Sequence, residues 1–447
     1  MNRLIAFLRD SYREAVSTWV IPVMLAFTVL LIALVASVGF RPITLEDEFK
    51  GQFSLLNGSF SFNPALKGSR FDVENVAASN AAEPWKSDYE FDIVFRATPD
   101  AVKQFEGNPG FPMTRRRTEN YLKATVPYLD NLTVTDRSPP AGDALAAGAL
   151  REYRFHASSR GTKIADRTSW PHQPSFLFAF DYFFTYSLRD GVYKLEKRLV
   201  NDVGAWVTLL VSVIITAGFI PNMLRKGTID LYVSKPIGRV SLILYKYLGG
   251  LIFMLLLTTA MVGGIWLTVG LRTGLWSPHF LALIPLMTFY FAILYAVSTL
   301  AAVVTRSTVV AILATVFAWA VFFGIGFGFD VVKKIKKAGT EMREKLGAPD
   351  ADADEIVANK PRERTPFEVP TWVDYLSKAL YYPSPRTYDL DDRMIRAIAQ
   401  GVLTDFEIKQ NNLDAELPPW GETLGVSLSF IALCLGLASA RMVTRDG

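Results

Sequence analysis

Three histidines, one cysteine and the carboxylates are the residues from which this chain would build a catalytic or metal site. His156, His172 and His279 stand far apart with no ligand spacing, and Cys434 is the only cysteine. An internal disulfide and a Cys-rich zinc site are therefore excluded. No G-x-x-x-x-G-K-[ST] phosphate loop occurs anywhere, so nucleotide hydrolysis would have to sit on another chain. The Gly-rich run "FFGIGFGFD" (322–330) lacks the lysine and the strand–helix setting of such a loop. Its glycines suit close helix packing or a kink instead. Long apolar stretches carry no Asp, Glu, Lys, Arg or His in their cores, which argues against intramembrane proteolysis and against ion-coupled transport. The chain reads as a non-enzyme that holds no cofactor and no metal of its own.

What remains is a charged stretch punctuated by proline and glycine, "NMLRKGTIDLYVSKPIGRVSLILYKYLGG" (Asn222–Gly250), between two apolar runs. Gly227 and Thr228 make a helix start with Thr228 as cap. Ile229, Leu231, Tyr232 and Val233 then offer apolar contacts. Pro236 ends the turn because it cannot continue the hydrogen-bond ladder. Lys235, Arg239 and Lys246 supply the charge, with Arg239 and Lys246 flanking the entry into a new helix. The chemistry on offer is recognition: a short rigid helix across the ends of two spans could receive a push from a partner. The plainer alternative is a basic loop that snorkels and only fixes topology.

The elements that would position it follow from composition. Of 447 residues, 50% are hydrophobic and the mean hydropathy is positive, which marks a membrane protein. The net charge of +4 gives no reason to invoke nucleic acid. Six stretches approach the roughly 20 apolar residues that cross a bilayer. They are Trp19–Phe40, Val203–Ile220, Tyr247–Leu271, Phe280–Val304, Ser307–Phe329 and Thr423–Ala440. The first is too long for a signal peptide and reads as a retained anchor. Residues 1–18 have helical periodicity with a basic face, which predicts an amphipathic helix in the membrane interface. Short basic loops, including Arg225, Lys226, Lys235 and Arg306, set both termini in the cytoplasm. The cluster Lys333, Lys334, Lys336, Lys337, Arg343 and Lys345 pulls the other way, but long segments translocate despite charge.

That topology places residues 41–202 and 330–422 outside. In the first, "FSF" (60–62), "YEFDIVF" (89–95), "REYRFHA" (151–157) and "FLFAFDYFFTY" (176–186) alternate as half-buried strands do. "TPDAVKQFEG" between them predicts a helix capped by Thr98 with Pro99 at its first position. The second begins as a basic continuation of the fifth span, turns into the polar linker "GAPDADADEIVANKPRERTP", and then forms an aromatic helix, "WVDYLSKALYYPSP". Trp372, Tyr375, Tyr381 and Tyr382 of that helix suit the headgroup region. The fold class is thus a polytopic α-helical membrane protein with six spans. A β-rich α+β extracytoplasmic domain separates helices 1 and 2. Its divisions are 1–18, 19–40, 41–202, 203–329 with the loop 221–246, 330–422, and 423–447.

"RKGTIDLYVSKPIGRVSLILYKYLGG" resembles the loop between the second and third spans of exporter-type (type-2, ABC-2-like) ABC transporter permeases. The matching positions are Gly227, Thr228, Lys235, Pro236, Arg239, Lys246, Tyr247, Leu248 and Gly249. "ALYYPSPRTYDLDD" (Ala379–Asp392) is similar to the segment before the last span of the same permeases. The resemblance covers about 201–329 and 372–447. It departs from the pattern at Arg225-Lys226, where many members carry an acidic residue before the Gly-Thr. It implies a permease subunit, paired with a second permease subunit and with separate ABC ATP-binding subunits that carry the ATP. Gly227, Thr228, Ile229, Leu231, Lys235, Pro236 and Arg239 would form the coupling helix. The membrane would be a bacterial inner membrane. The cargo stays open among lipids, peptides, glycans and drugs, as do homodimer or heterodimer and an envelope partner for the aromatic domain. Two other classes compete: a membrane-anchored extracytoplasmic binding or scaffold protein, and a secondary transporter.

Overall fold

The computed structural model describes residues 20–64, 66–106, 114–139, 150–164, 166–177, 180–181, 185–198, 213–214, 217–218, 220–221, 238–345, 369–411, 413–414 and 417–444. The predicted interfacial helix at 1–18, most of the second span and the linker 347–366 lie outside these residues. The chain divides into two compact units, residues 36–192 and the remainder.

In the first unit, β1 (Gly39–Pro42) leads into α2 (Leu45–Phe60), and α1 (Val20–Ala36) belongs to the other unit. Strand β2 (Arg70–Ala78), β3 (Tyr89–Ala97), α3 (Pro99–Glu106), α4 (Arg115–Thr125), β4 (Thr133–Asp136) and β5 (Arg151–Ser159) follow. The unit closes with β6 (Pro171–Phe176), β7 (Phe180–Asp181), β8 (Tyr186–Ser187) and the start of α5 (Leu188–Glu196). One antiparallel sheet runs β2-β3-β5-β4, and a second pairs β6 with β1, β7 and β8. The expected strands at 89–95 and 151–157 are β3 and β5, paired from Tyr89–Ser159 to Ala97–Arg151. The expected helix after Thr98 is α3, with the Ala101 amide donating to Thr98 Oγ1.

The "FSF" strand is a correction. Phe60 is the last residue of α2, and Phe62 is 90% exposed. The helical period was present in the sequence: Leu45, Phe49, Phe53 and Phe60 share one buried face. Thr44 caps the first turn by accepting from the Asp47 amide at 3.1 Å, and Glu46, Asp47 and Glu48 suit the positive end of the helix dipole. The run at 176–186 is a second correction, for it breaks into short pairings with Phe176 and Phe180 exposed. Phe49, Phe53, Phe71, Phe91, Phe95 and Phe155 fill the core, with Phe71 and Phe95 stacked at 4.3 Å.

The opposite face of the larger sheet is an ion-pair network. Arg96 reaches Asp72 at 2.7 Å, Glu74 at 2.6 Å and Glu152 at 3.3 Å, and Arg154 reaches Glu74 at 2.8 Å and Asp92 at 3.3 Å. The Arg96 hydrogen bond holds the Glu74 carboxyl below its ordinary value, ahead of the opposing effect of burial and with help from Arg154. Burial acts to raise Asp92, but hydrogen bonds from Asn75, His156 and Arg154 outweigh it and bring that group down too. Carboxyls lowered by folding stabilise the sheet above their unfolded values, about 4, and lose that contribution as pH falls through the folded ones. Hydrogen-exchange protection of β3 and β5 in the full chain, corrected for intrinsic exchange, is therefore expected to drop between pH 6 and pH 3. Protection that stays level over that range would show the network contributes nothing to stability.

In the second unit, four helices among the described residues are long and apolar enough to cross a membrane. They belong to α6 (Arg239–Thr273), α7 (Leu283–Thr305, preceded by a 3-10 turn at Pro278–Ala282), α8 (Thr308–Lys345) and, at the chain's end, the helix Trp420–Thr444. α9 (Thr371–Tyr381), α10 (Thr387–Val402) and α11 (Asp405–Gln410) come before the last of these, α12. α1 is apolar over Pro22–Ala36 but shorter. It meets α6 where a Cβ on Gly264 would lie 2.3 Å from Ile32. As expected, α8 runs on past its apolar part into the basic stretch, and Arg306 forms the tight turn between α7 and α8, with a left-handed φ of 54°.

Candidate functional site

Six of the seven predicted coupling residues, Gly227, Thr228, Ile229, Leu231, Lys235 and Pro236, lie outside the described residues. Arg239 is the first residue of α6, directly after the exposed, extended Gly238, so the break expected at Pro236–Gly238 is followed by a helix. Residues 239–246, assigned to the loop from sequence, belong to that helix. Both stems of the segment are held in one buried cluster. Ile220 before it and Leu242 and Ile243 after it pack with Val303 of α7, Ala311 of α8 and Met442 of α12. One helical turn further, Tyr247 donates to the Ala292 carbonyl at 2.8 Å and stacks on Tyr295 at 5.2 Å. Gly250 admits that stack, since a Cβ there would lie 2.5 Å from the Tyr295 ring.

The opposite ends of the same helices hold a second constellation. α9 and α10, a helix–turn–helix hairpin through "YPSPR" (382–386), both pack on α8, and the turn meets α12. The Arg386 amide donates to Ser427 Oγ at 3.1 Å, seven residues into α12, which is about 10 Å along that helix. Arg386 is 2% exposed, with its guanidinium 3.9 Å from the Tyr381 ring centroid and 5.3 Å from that of Tyr382. Tyr381 in turn stacks on Phe329 at 3.9 Å and donates to Asp389 Oδ1 at 2.5 Å. Tyr381, expected in the headgroup layer, is therefore a core residue, while Trp372, Tyr375 and Tyr382 are exposed. Outside the apolar part, Lys336 of α8 pairs with Asp374 of α9 at 2.7 Å, and hydrogen bonds from Lys336 and Lys378 lower that carboxyl.

Beside the hairpin lies a cavity of about 760 Å³ between α6, α7, α10 and α12. One half is apolar: Leu251 and Leu255 of α6 face Leu286, Phe289 and Ala292 of α7, with Leu424 of α12. The other half, near the Gly274 end, is lined by His279, Arg393, Arg396, Gln400 and Trp420. Arg393 is 8% exposed, lies 3.8 Å over Trp420, and donates through Nη2 to the Pro418 carbonyl and to Thr423. Its Nε has no hydrogen-bond partner among the described residues. α10 is locked at this end because Gly401 sits against Ser277 and His279 with no room for a Cβ. Sequence reasoning missed the cavity, although "YDLDDRMIRAIAQGV" repeats Leu390, Met394 and Ile398 at helical spacing with Arg393, Arg396 and Gln400 beside them.

A family model described as ABC-2 family transporter protein matches residues 8–346. The chain belongs to the ABC-2 transporter family. Comparison with curated proteins and with solved structures gives no match. The family match runs through 41–202, which the resemblance read from motifs left out, and it stops before the α9–α10 hairpin. This ABC-2 protein is a multi-pass membrane protein and a transport component, of a family whose membrane subunits partner an ABC ATP-binding subunit. The buried cluster around Ile220 and Leu242 thus lies at the stems of the segment where the motif resemblance sets the ATPase contact.

Proposed function

We propose that the chain is the permease subunit of an ATP-driven ABC exporter in a bacterial inner membrane. It crosses six times, with the N-terminal interfacial helix and both termini in the cytoplasm and the 41–202 domain outside. Two such subunits, identical or related, pair with two ATP-binding subunits. Gly227, Thr228, Ile229, Leu231, Lys235, Pro236 and Arg239 seat in the ATPase and carry its closure into the membrane.

The observation that carries this reading is the clamp at both stems of the segment. A rigid connection needs both ends fixed to the elements it moves, and here Ile220 and Leu242 share one cluster with α7, α8 and α12. A displacement imposed on the segment would act on four helices together, since packed interiors transmit strain. A loop that only fixed topology would need no such fastening. Coupling also requires contacts that differ between two states, and the hairpin at the far end offers a second element for them.

The test is affinity capture of the tagged chain in mild detergent, with mass spectrometry of what co-purifies, beside a Gly227→Pro variant. The expected result is an ATP-binding subunit recovered with the wild type and lost with the variant, and at least a tenfold fall in ATP-driven activity with membrane insertion intact. Full ATP-driven activity in the variant would sink the assignment of the segment. Recovery of an extracytoplasmic partner alone would favour the anchored binding protein.

A further inference from the structure

We propose that the cavity between α6, α7, α10 and α12 is a lateral binding site for a lipid with an acidic headgroup. Its phosphate lies at Arg393 and Arg396, and its acyl chain lies against Leu251, Leu255 and Phe289. This inference rests on the permease reading and names a ligand class for it.

Three observations lead to it. The first is amphipathy on the scale of a ligand: about 760 Å³ is within the range of small-molecule sites, and its apolar and cationic halves are segregated end to end. The polar half sits where α12 begins and the 3-10 turn at Pro278–Ala282 begins, and the apolar half extends to Ala292, about 14 Å along α7. A molecule with a charged head and an aliphatic body fits that division. A sugar would leave the leucine half unfilled.

The second is charge. Among the described residues, no Asp or Glu lines the cavity, whereas two arginines do. None of the acids of α10 lines the cavity: Asp389 accepts from Tyr381 and lies near Arg386 and Arg393, and Asp392 interacts with Arg396 as well as with Asp330 and Lys334 of α8. Arg393 is more than nine-tenths buried, and its Nε has no hydrogen-bond partner among the described residues. A buried guanidinium with an unused donor is costly unless an acceptor completes it. A phosphate suits the guanidinium fork in geometry and charge.

The third is access. Leu255, Leu424 and Trp420 of the lining are exposed, so the cavity opens sideways from a bundle that crosses a membrane. Trp420 marks the interfacial level at its rim, as tryptophans at bilayer boundaries do. A ligand already dissolved in the bilayer reaches such an opening without leaving the apolar phase. A soluble anion gains nothing from the apolar half.

The experiment uses the full chain purified in mild detergent, with dioleoylphosphatidylglycerol or dioleoylphosphatidylcholine added and bound lipid read by native mass spectrometry. The wild type is expected to retain the anionic lipid in preference. Arg396→Gln should reduce that preference about fivefold, the worth of one cation near an anionic headgroup. Leu255→Trp should lower retention of the anionic lipid by blocking the apolar half while leaving both arginines in place. Glycerol phosphate should not displace the lipid. Unchanged retention in both variants would mean annular lipid only and overturn the site. Displacement by glycerol phosphate would overturn the lipid in favour of a soluble anion. Recovery of the ATP-binding subunit is scored in the same preparations, so loss of this inference leaves the permease reading standing, and the reverse.

Discussion

Replacing Asp389 by alanine is expected to cost about 3 kcal/mol and to release the α9–α10 hairpin, because removing one partner from a buried charged group leaves the others uncompensated. The group is small and nearly dry. Arg386, Asp389 and Arg393 are all under 9% exposed, and Asp389 is the acid among them. Its Oδ1 accepts a hydrogen bond from the Tyr381 hydroxyl at 2.5 Å, which fixes the ring that stacks on both Arg386 and Phe329. Loss of the carboxylate therefore removes a hydrogen bond and the counter-charge of two buried guanidiniums at once. The check is the thermal midpoint together with thiol labelling of a Ser384→Cys reporter at the turn, since the native Cys434 is buried and contributes little background. Labelling should become fast in Asp389→Ala. Asp389→Asn, which keeps the shape but not the charge, should fall between. Equal labelling in all three would show that aromatic stacking alone holds the turn.

Gly326→Val is the second change expected to act strongly, at about 1–3 kcal/mol, the range for overfilling a packed contact. A Cβ at Gly326 would stand 2.3 Å from Tyr388 Cβ and 2.8 Å from its Cγ. Those atoms are at the root of the side chain, so no rotamer of Tyr388 relieves the clash. Tyr388 is held from both sides as well, donating to Asp330 at 3.1 Å and packing against Phe323 at 6.2 Å between ring centres. The hairpin would have to leave α8. A control is built into the same helix, because nothing lies within 4 Å of a Cβ at Gly328. Thermal midpoints should fall for Gly326→Val and stay near wild type for Gly328→Ala. Equal falls would show that the Tyr388 contact is not what excludes a side chain at Gly326, since Ala and Val both exceed glycine in helix propensity.

Much of the membrane architecture was legible beforehand, for a definite reason. A span is a local property, about 20 apolar residues in a row, and Tyr247–Leu271, Phe280–Val304, Ser307–Phe329 and Thr423–Ala440 each fall in a long helix or its entry turn. Arg306 between two apolar runs left room only for a tight turn. Strands β3 and β5 were legible because alternation is local too, with Phe91, Phe95, Phe155 and Ala157 inward. α2 was missed because three letters, "FSF", imitate alternation while the helical period spans sixteen residues. Of the three glycines in "GIGFG", the close-packing role was foreseen, but only the partner helix distinguishes Gly326 from Gly324 and Gly328.

The sequence by itself determined that this is a polytopic membrane protein of transporter type. Hydropathy and the permease-like motif around Gly227 and Pro236 are both properties of short, contiguous stretches. Tertiary structure alone decided where Arg386, Arg393 and Tyr381 go. Each carries a polar group that would by itself prefer water, and each is buried because residues far away in the chain, Phe329, Ser427 and Trp420, supply a stacking face or a hydrogen bond. The cavity has the same origin. Leu255, Phe289, Arg393 and Leu424 come from four separate helices, and enclosed space exists only after those helices have packed.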